Sequence, residues 1–153
     1  YMLSKHANLK VYAYEPMPVN FKLLELYKNQ ISNNHFLVFN KAVAGKEGIL
    51  QLHYDSSDSY TTDASIFNTY NHAETTEVPC TTLAKLMDEN NLDSIDFLKL
   101  DCEGSEYAIV YHSPLELLKK IRINEQITQK HDLYKIINMN NIHWQTSEFL
   151  QQA

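Results

Sequence analysis

Short apolar runs separated by polar turns organise the first hundred residues. Leu9-Lys10-Val11-Tyr12-Ala13-Tyr14 is brief, apolar and aromatic, the mark of a strand. Glu15-Pro16 stops it, because proline has no amide hydrogen to continue a ladder. Pro18 stands where a helix can begin, and over residues 19–29 Phe21, Leu23, Leu24, Leu26 and Tyr27 recur at helical spacing. A polar break at residues 29–34 follows. Phe36-Leu37-Val38-Phe39 is continuous and apolar enough for a strand buried on both faces. Residues 40–44 carry that strand on to a turn at Gly45-Lys46-Glu47-Gly48, and residues 49–54 predict a third strand with partial alternation.

Residues 55–77 are rich in Ser, Thr, Asp and Tyr and predict a long surface excursion. Glu77-Val78-Pro79-Cys80-Thr81 predicts an edge strand, where a proline is tolerated. A helix opens at Thr82 and runs through about Asn90, with Leu83, Leu86 and Met87 on one face and Thr82 or Thr81 as N-cap. Residues 95–100 form the fourth convincing strand. Helical patterns start near Ser105 and cover residues 114–120 and 132–139, residues 121–127 are compatible with a strand, and Trp144 and Phe149 add apolar mass. Alternating strands and helices predict an α/β fold with a parallel sheet covered by helices. Nothing divides the 153 residues, so residues 1–153 are read as a single domain.

Composition narrows the function classes. Hydrophobic residues make up 44%, enough for a packed core and too many for a disordered chain. The net charge of −6 argues against a general nucleic-acid binder, which would show a basic face. No apolar run approaches the ~20 residues of a membrane span. The two cysteines, Cys80 and Cys102, form no CxxC pair, which argues against zinc and fits a reduced, cytoplasmic protein. The three glycines are Gly45, Gly48 and Gly104, so no glycine-rich loop lies near the start of the chain.

The chemistry is concentrated at the ends of two strands. Glu15 directly follows the first strand and Asp101 the fourth. If the strands are parallel, both carboxylates emerge at the sheet edge where α/β proteins bind ligands. A carboxylate there can accept both hydroxyls of a ribose; Glu15 equally suits the plainer role of stabilising a helix N-terminus. Phe97 to Leu100 runs into Asp101, Glu103 and Glu106 around Gly104, which lets the chain turn sharply into a helix. Glu106 suits helix support. Asp101 ends a strand beside Lys99 and needs a partner. Cys102, between two acids, is a poor nucleophile and reads as a small packed residue. His53, Asp55, Asp58, Asp63, His72 and Glu74 match no defensible metal spacing, and no metal site is expected. Tyr54, Tyr60, Phe67 and Tyr70 would suit stacking on a sugar face.

Four segments together resemble the FkbM-type methyltransferases, which use S-adenosylmethionine. They are Val11-Tyr12-Ala13-Tyr14-Glu15-Pro16-Met17-Pro18 with Asn20-Phe21 and Leu24; Asn40-Lys41-Ala42-Val43 with Gly48 beyond; Val78-Pro79-Cys80-Thr81-Thr82-Leu83; and Ile95-Asp96-Phe97-Leu98-Lys99-Leu100-Asp101-Cys102-Glu103-Gly104-Ser105-Glu106. They occur in the family's order over roughly residues 1–125. The resemblance implies a Rossmann-like methyltransferase sheet, mostly parallel, with helices on both faces. It implies that Glu15, with Pro16, holds the cofactor ribose, that Asn40 to Ala42 lie near the adenine, and that Asp101 lies near the methionine end. It further implies methyl transfer to a hydroxyl of a sugar or secondary metabolite, with Asp101 or Glu103 as base. Small-molecule or glycan acceptors are the implied partners, with no nucleic acid and no membrane. The family's first strand and glycine-rich loop have no counterpart here, so the chain is expected to be a partial domain preceded by further residues. An exposed sheet edge would then favour a homo-oligomer. The competing expectation is a non-catalytic, methyltransferase-like binding module.

Overall fold

A computed structural model describes residues 9–31, 34–54, 74–102 and 105–121. Glu103, Gly104, most of the 55–77 excursion, and the expectations for residues 122–139, Trp144 and Phe149 lie outside the described residues.

The first unit is a strand, a crossover helix and a second strand. β1 (Val11–Tyr14) pairs in parallel with β2 (Phe36–Phe39), in register from Val11 opposite Phe36 to Tyr14 opposite Phe39. Parallel neighbours need a long connection, and α1 (Pro18–Ile31) supplies it. The helix begins at Pro18, as the sequence predicts, and its first turn closes when the Phe21 N–H donates to the Met17 carbonyl at 2.9 Å. Lys28 in the last turn complements the helix dipole. Two further bonds extend the ladder: Val11 N–H donates to His35 O, and Glu15 N–H to Phe39 O.

The expected continuation of β2 through residues 40–44 does not form. The chain leaves the sheet at Asn40, and β3 (Ala42–Val43) joins a second sheet with β4 (Gly48–Tyr54) and β5 (Glu74–Thr81), in the order β3-β5-β4. The physical reason is that β1 ends at Tyr14 and turns away at Pro16, so among the described residues β2 has no ladder partner beyond Phe39. β5 pairs in parallel with β3 and antiparallel with β4. It is therefore a middle strand of the described sheet, not the edge strand expected from Pro79. The proline is accommodated because pairing with β3 begins one residue later, at Cys80. Gly48, at φ +134°, opens β4 in a conformation that favours glycine.

α2 (Leu83–Glu89) follows β5 directly. Its N-cap is Thr82, whose hydroxyl accepts the Lys85 N–H at 3.2 Å, an interaction worth about 1 kcal/mol. Leu83, Leu86 and Met87 are buried, as their spacing predicts. The helix exits through Asn91, at φ 51°. Asparagine tolerates this left-handed position better than most residues.

Residues 95–100 do not build the full strand their pattern predicts. Among the described residues they make a single parallel bridge, Ile95 to Ile121. An apolar run becomes a ladder only where a second backbone lies alongside it, and among the described residues only that one pair meets. Two short helices, α3 (Glu106–Tyr111) and α4 (Leu115–Leu118), fill the return.

The described fold is thus a mixed α/β arrangement with small sheets of both polarities. Two apolar clusters hold it. Met17, Ala42, Ala44, Leu52, Val78 and Cys80 form one; Leu83, Ile109 and Ile121 form the other, with Leu98, Leu100 and Cys102 packed against it. The loop before β4 rests on the end of α3. A Cβ at Gly45 would lie 2.7 Å from His112 Nδ1 and 2.9 Å from the Ala108 carbonyl oxygen. The helix backbone cannot yield easily, so Gly45→Ala is expected to lower stability by about 1–3 kcal/mol, read as a lower urea midpoint with an unchanged slope.

Candidate active site

The site grows from the end of β1. The chain turns at Glu15-Pro16, and the Glu15 carboxylate folds over the start of α1. Its Oε1 accepts the Met17 N–H at 2.8 Å, and the Asn20 side chain also bonds it. Burial raises the pKa of Glu15 above its ordinary value, and these two hydrogen bonds offset part of that rise. A carboxylate has about four lone-pair positions, so Glu15 retains capacity for further donors.

Asn40 stabilises this turn from the end of β2. Its side-chain nitrogen donates to both Glu15 O and Pro16 O, each at 2.9 Å. Asn40 therefore stands behind Glu15 rather than on the cavity wall, while Ala42 and Pro16 line the cavity itself. The preceding residue pair adds rigidity: the rings of Tyr14 and Phe39 stack at 4.6 Å, 13° from parallel. The Tyr14 hydroxyl accepts from Asn90 at 3.2 Å, which ties β1 to the C-cap of α2. Burial raises the Tyr14 pKa; the Asn90 hydrogen bond opposes this and nearby Glu89 adds to it.

Residues 98–102 form the opposite wall. Asp101 is exposed, and its Oδ2 lies 3.0 Å from Lys99 Nζ. Lys99 is thus the partner that the sequence demanded, although a pair this exposed contributes only about 0–1 kcal/mol. Next to it, Glu106 is buried at 5% exposure, and its Oε1 accepts the Cys102 N–H at 2.9 Å. The Ser105 N–H donates to Cys102 O at 3.1 Å. Cys102 packs on the second apolar cluster, as a small packed residue should.

Between these walls lies a cavity of about 560 Å³, within the range of small-molecule sites. Glu15 and Asp101, 86 positions apart in sequence by their numbering, both line it, with Leu52, Leu86, Leu98 and Leu100 among the apolar walls. The arrangement suits a ligand with a polar hydroxylated part near Glu15 and apolar contacts in between. Away from the cavity, the Tyr54 hydroxyl donates to Glu74 at 3.0 Å, so two residues weighed for sugar or metal contact pair with each other. Two features escaped sequence reading. Asn20 as a partner of Glu15 lies five residues on and could have been found from helix geometry, since it faces back over the turn. The burial of Glu106 had no local signal, because an acid in a first helical turn is ordinarily solvated.

Comparisons with curated proteins and with solved structures gave no significant match. A family model described as the methyltransferase FkbM domain matches residues 1–151, nearly the whole chain. This chain therefore belongs to the FkbM methyltransferase family, and the chemistry that membership gives it is methyl transfer from a methyl donor.

Proposed function

We propose that the chain binds S-adenosylmethionine in the cavity between Glu15 and Asp101 and transfers its methyl group to a hydroxyl oxygen of a sugar or secondary metabolite. The observation that supports this most is that two acidic residues from separate segments line one cavity with apolar walls. The frame proposed for it is a Rossmann-like sheet, mostly parallel, of which the parallel pair β1 and β2 is a part.

The residues present fit the nucleoside. Glu15 is half-buried, held by Met17 and Asn20, and keeps acceptor capacity for two ribose hydroxyls. Asn40 fixes the backbone of Glu15 and Pro16 beside it. The apolar wall suits an adenine face. When bound, S-adenosylmethionine supplies an electrophilic methyl group on a sulfonium. The chain's own part is to orient the acceptor hydroxyl and to take its proton. Asp101 or Glu103 is the proposed base. For Asp101 to act, Lys99 must swing aside, which costs little for so exposed a pair.

Calorimetric titration with S-adenosylmethionine tests the donor: no heat and no thermal shift at millimolar ligand sinks the reading and favours the non-catalytic binding module. The base is tested by Asp101→Asn and Glu103→Gln, assayed on a panel of sugar and polyketide hydroxyls. Loss of a general base is expected to lower turnover by about 100-fold or more. If both variants keep full activity, neither residue is the base.

A further inference from the structure

Among the described residues Glu106 is the one charged side chain that is buried. Carboxylates are almost never this enclosed unless paired or hydrogen-bonded. Its position at the start of α3 suggests simple support of the helix dipole, yet its bond runs the other way. Glu106 Oε1 reaches back out of the helix and takes the N–H of Cys102. The Cys102 carbonyl in turn takes the N–H of Ser105. Both polar groups of the Cys102 backbone are therefore bound inside the turn, while its side chain packs on the cluster of Leu83, Ile109 and Ile121.

The held N–H belongs to the peptide joining Asp101 to Cys102. A peptide unit is planar and stiff, so fixing that N–H fixes the plane from which Asp101 projects. The Asp101 side chain has little else to hold it: it is 68% exposed, and its ion pair with Lys99 is itself a surface contact. We propose that Glu106 is a positioning residue for Asp101, its buried carboxylate holding the Asp101–Cys102 peptide so that Asp101 faces the donor cavity. This rests on the donor-binding reading of that cavity. The property required is an acceptor atom at a given reach, not a negative charge.

The requirement separates positioning from dipole support. Glu106→Gln keeps the reach and an acceptor but loses the charge; Glu106→Asp keeps the charge but draws the acceptor back by one methylene. Glu106→Met removes the acceptor at similar size. Amide hydrogen exchange at Cys102 is expected to rise about tenfold in the Asp and Met variants, the scale of one hydrogen bond, and to change by less than about threefold in the Gln variant. Exchange at Ile109, whose N–H is bound to Ser105 O within α3, serves as the control and should stay within about twofold in all three. S-adenosylhomocysteine affinity, measured by calorimetry, should fall about five- to tenfold in the Asp variant. Combining Glu106→Asp with Asp101→Asn should weaken binding no further than Asp101→Asn alone, because residues acting through one another are not additive. The Asp variant carries the comparison if the Met variant fails to fold. Two results overturn the proposal: Cys102 exchange that follows charge, rising in the Gln variant and not in the Asp variant, or losses in affinity that multiply in the double variant. Absence of S-adenosylhomocysteine binding by the unaltered chain sinks the donor reading instead, and the exchange comparison then decides the hold of Glu106 on the turn.

Discussion

Glu15→Gln is expected to weaken S-adenosylhomocysteine binding by about 10- to 100-fold, since hydrogen bonds to a charged acceptor contribute about 1.5–3 kcal/mol. Glutamine has the same length and can still accept the Met17 N–H seen at 2.8 Å, so the turn into α1 should survive. What it loses is the charge that two ribose hydroxyls would bond together. The same carboxylate predicts a pH dependence. Binding to the ionised form falls as pH drops through the Glu15 pKa. Burial holds that pKa above the ordinary glutamate value, so the loss begins at a higher pH than an exposed glutamate would give. Stability of the unliganded chain moves in the opposite direction. A folded pKa raised above the unfolded one means that the folded state holds the proton more tightly. The contribution of Glu15 to stability is then full below the unfolded pKa and is lost as pH rises through the folded pKa. Glu15→Gln should therefore lose affinity while slightly raising the melting temperature at neutral pH. Calorimetry and thermal melts at pH 5 and pH 8 check both halves. A variant that loses affinity and stability together contradicts this account, because it would mark Glu15 as mere scaffolding.

Leu83→Ala is expected to be the most destabilising single change, at about 3 kcal/mol within the 2–5 kcal/mol range for buried leucines, or roughly 10 °C in Tm for a chain of this size. Leu83 is 1% exposed, and it touches Ile109 and Ile121 from the first turn of α2. Leu98, Leu100 and Cys102 pack on the same cluster. A cavity at Leu83 therefore loosens the wall that carries Asp101 as well as the core. Chemical unfolding measures the stability loss. Leu83→Met, which conserves volume, should cost under about 1.5 kcal/mol. A Leu83→Ala variant that melts within a degree of the parent would show that the second cluster is not what holds the fold.

Much of the local structure was legible in the residues. The proline at position 18 marks the start of α1 because its missing N–H costs nothing there. Thr82 was readable as a cap, since a hydroxyl one residue before an apolar helical pattern meets an amide otherwise left unpaired. Glu15 at the end of β1 and Asp101 after the apolar 95–100 run could both be singled out, and both line the cavity. Each of these signals is local: it depends on a residue and its neighbours within a turn or two.

The remainder depended on which segments meet. Pro79 argues for an edge strand only until the partners of β5 are known, and β3 pairs one residue too late for the missing N–H to matter. The apolar run at residues 95–100 carries the pattern of a strand, but a ladder needs a second backbone, and among the described residues the run makes one bridge, Ile95 to Ile121. The resemblance placed Asn40 near the adenine; what the sequence did not show is that its amide donates to the carbonyls of Glu15 and Pro16, 25 and 24 positions away. Glu106 read as support for a helix N-terminus, and it is buried with its carboxylate on the Cys102 N–H. Residue order and hydrophobic spacing are enough to specify β1, the start of α1, the buried face and cap of α2 and the family to which the chain belongs, because these follow from short-range backbone chemistry and from motif order. The cavity that Glu15 and Asp101 share, the burial of Glu106 and the partners of β5 come from packing between segments far apart in the chain, where the burial of apolar surface sets which side chains are enclosed and which face the cavity.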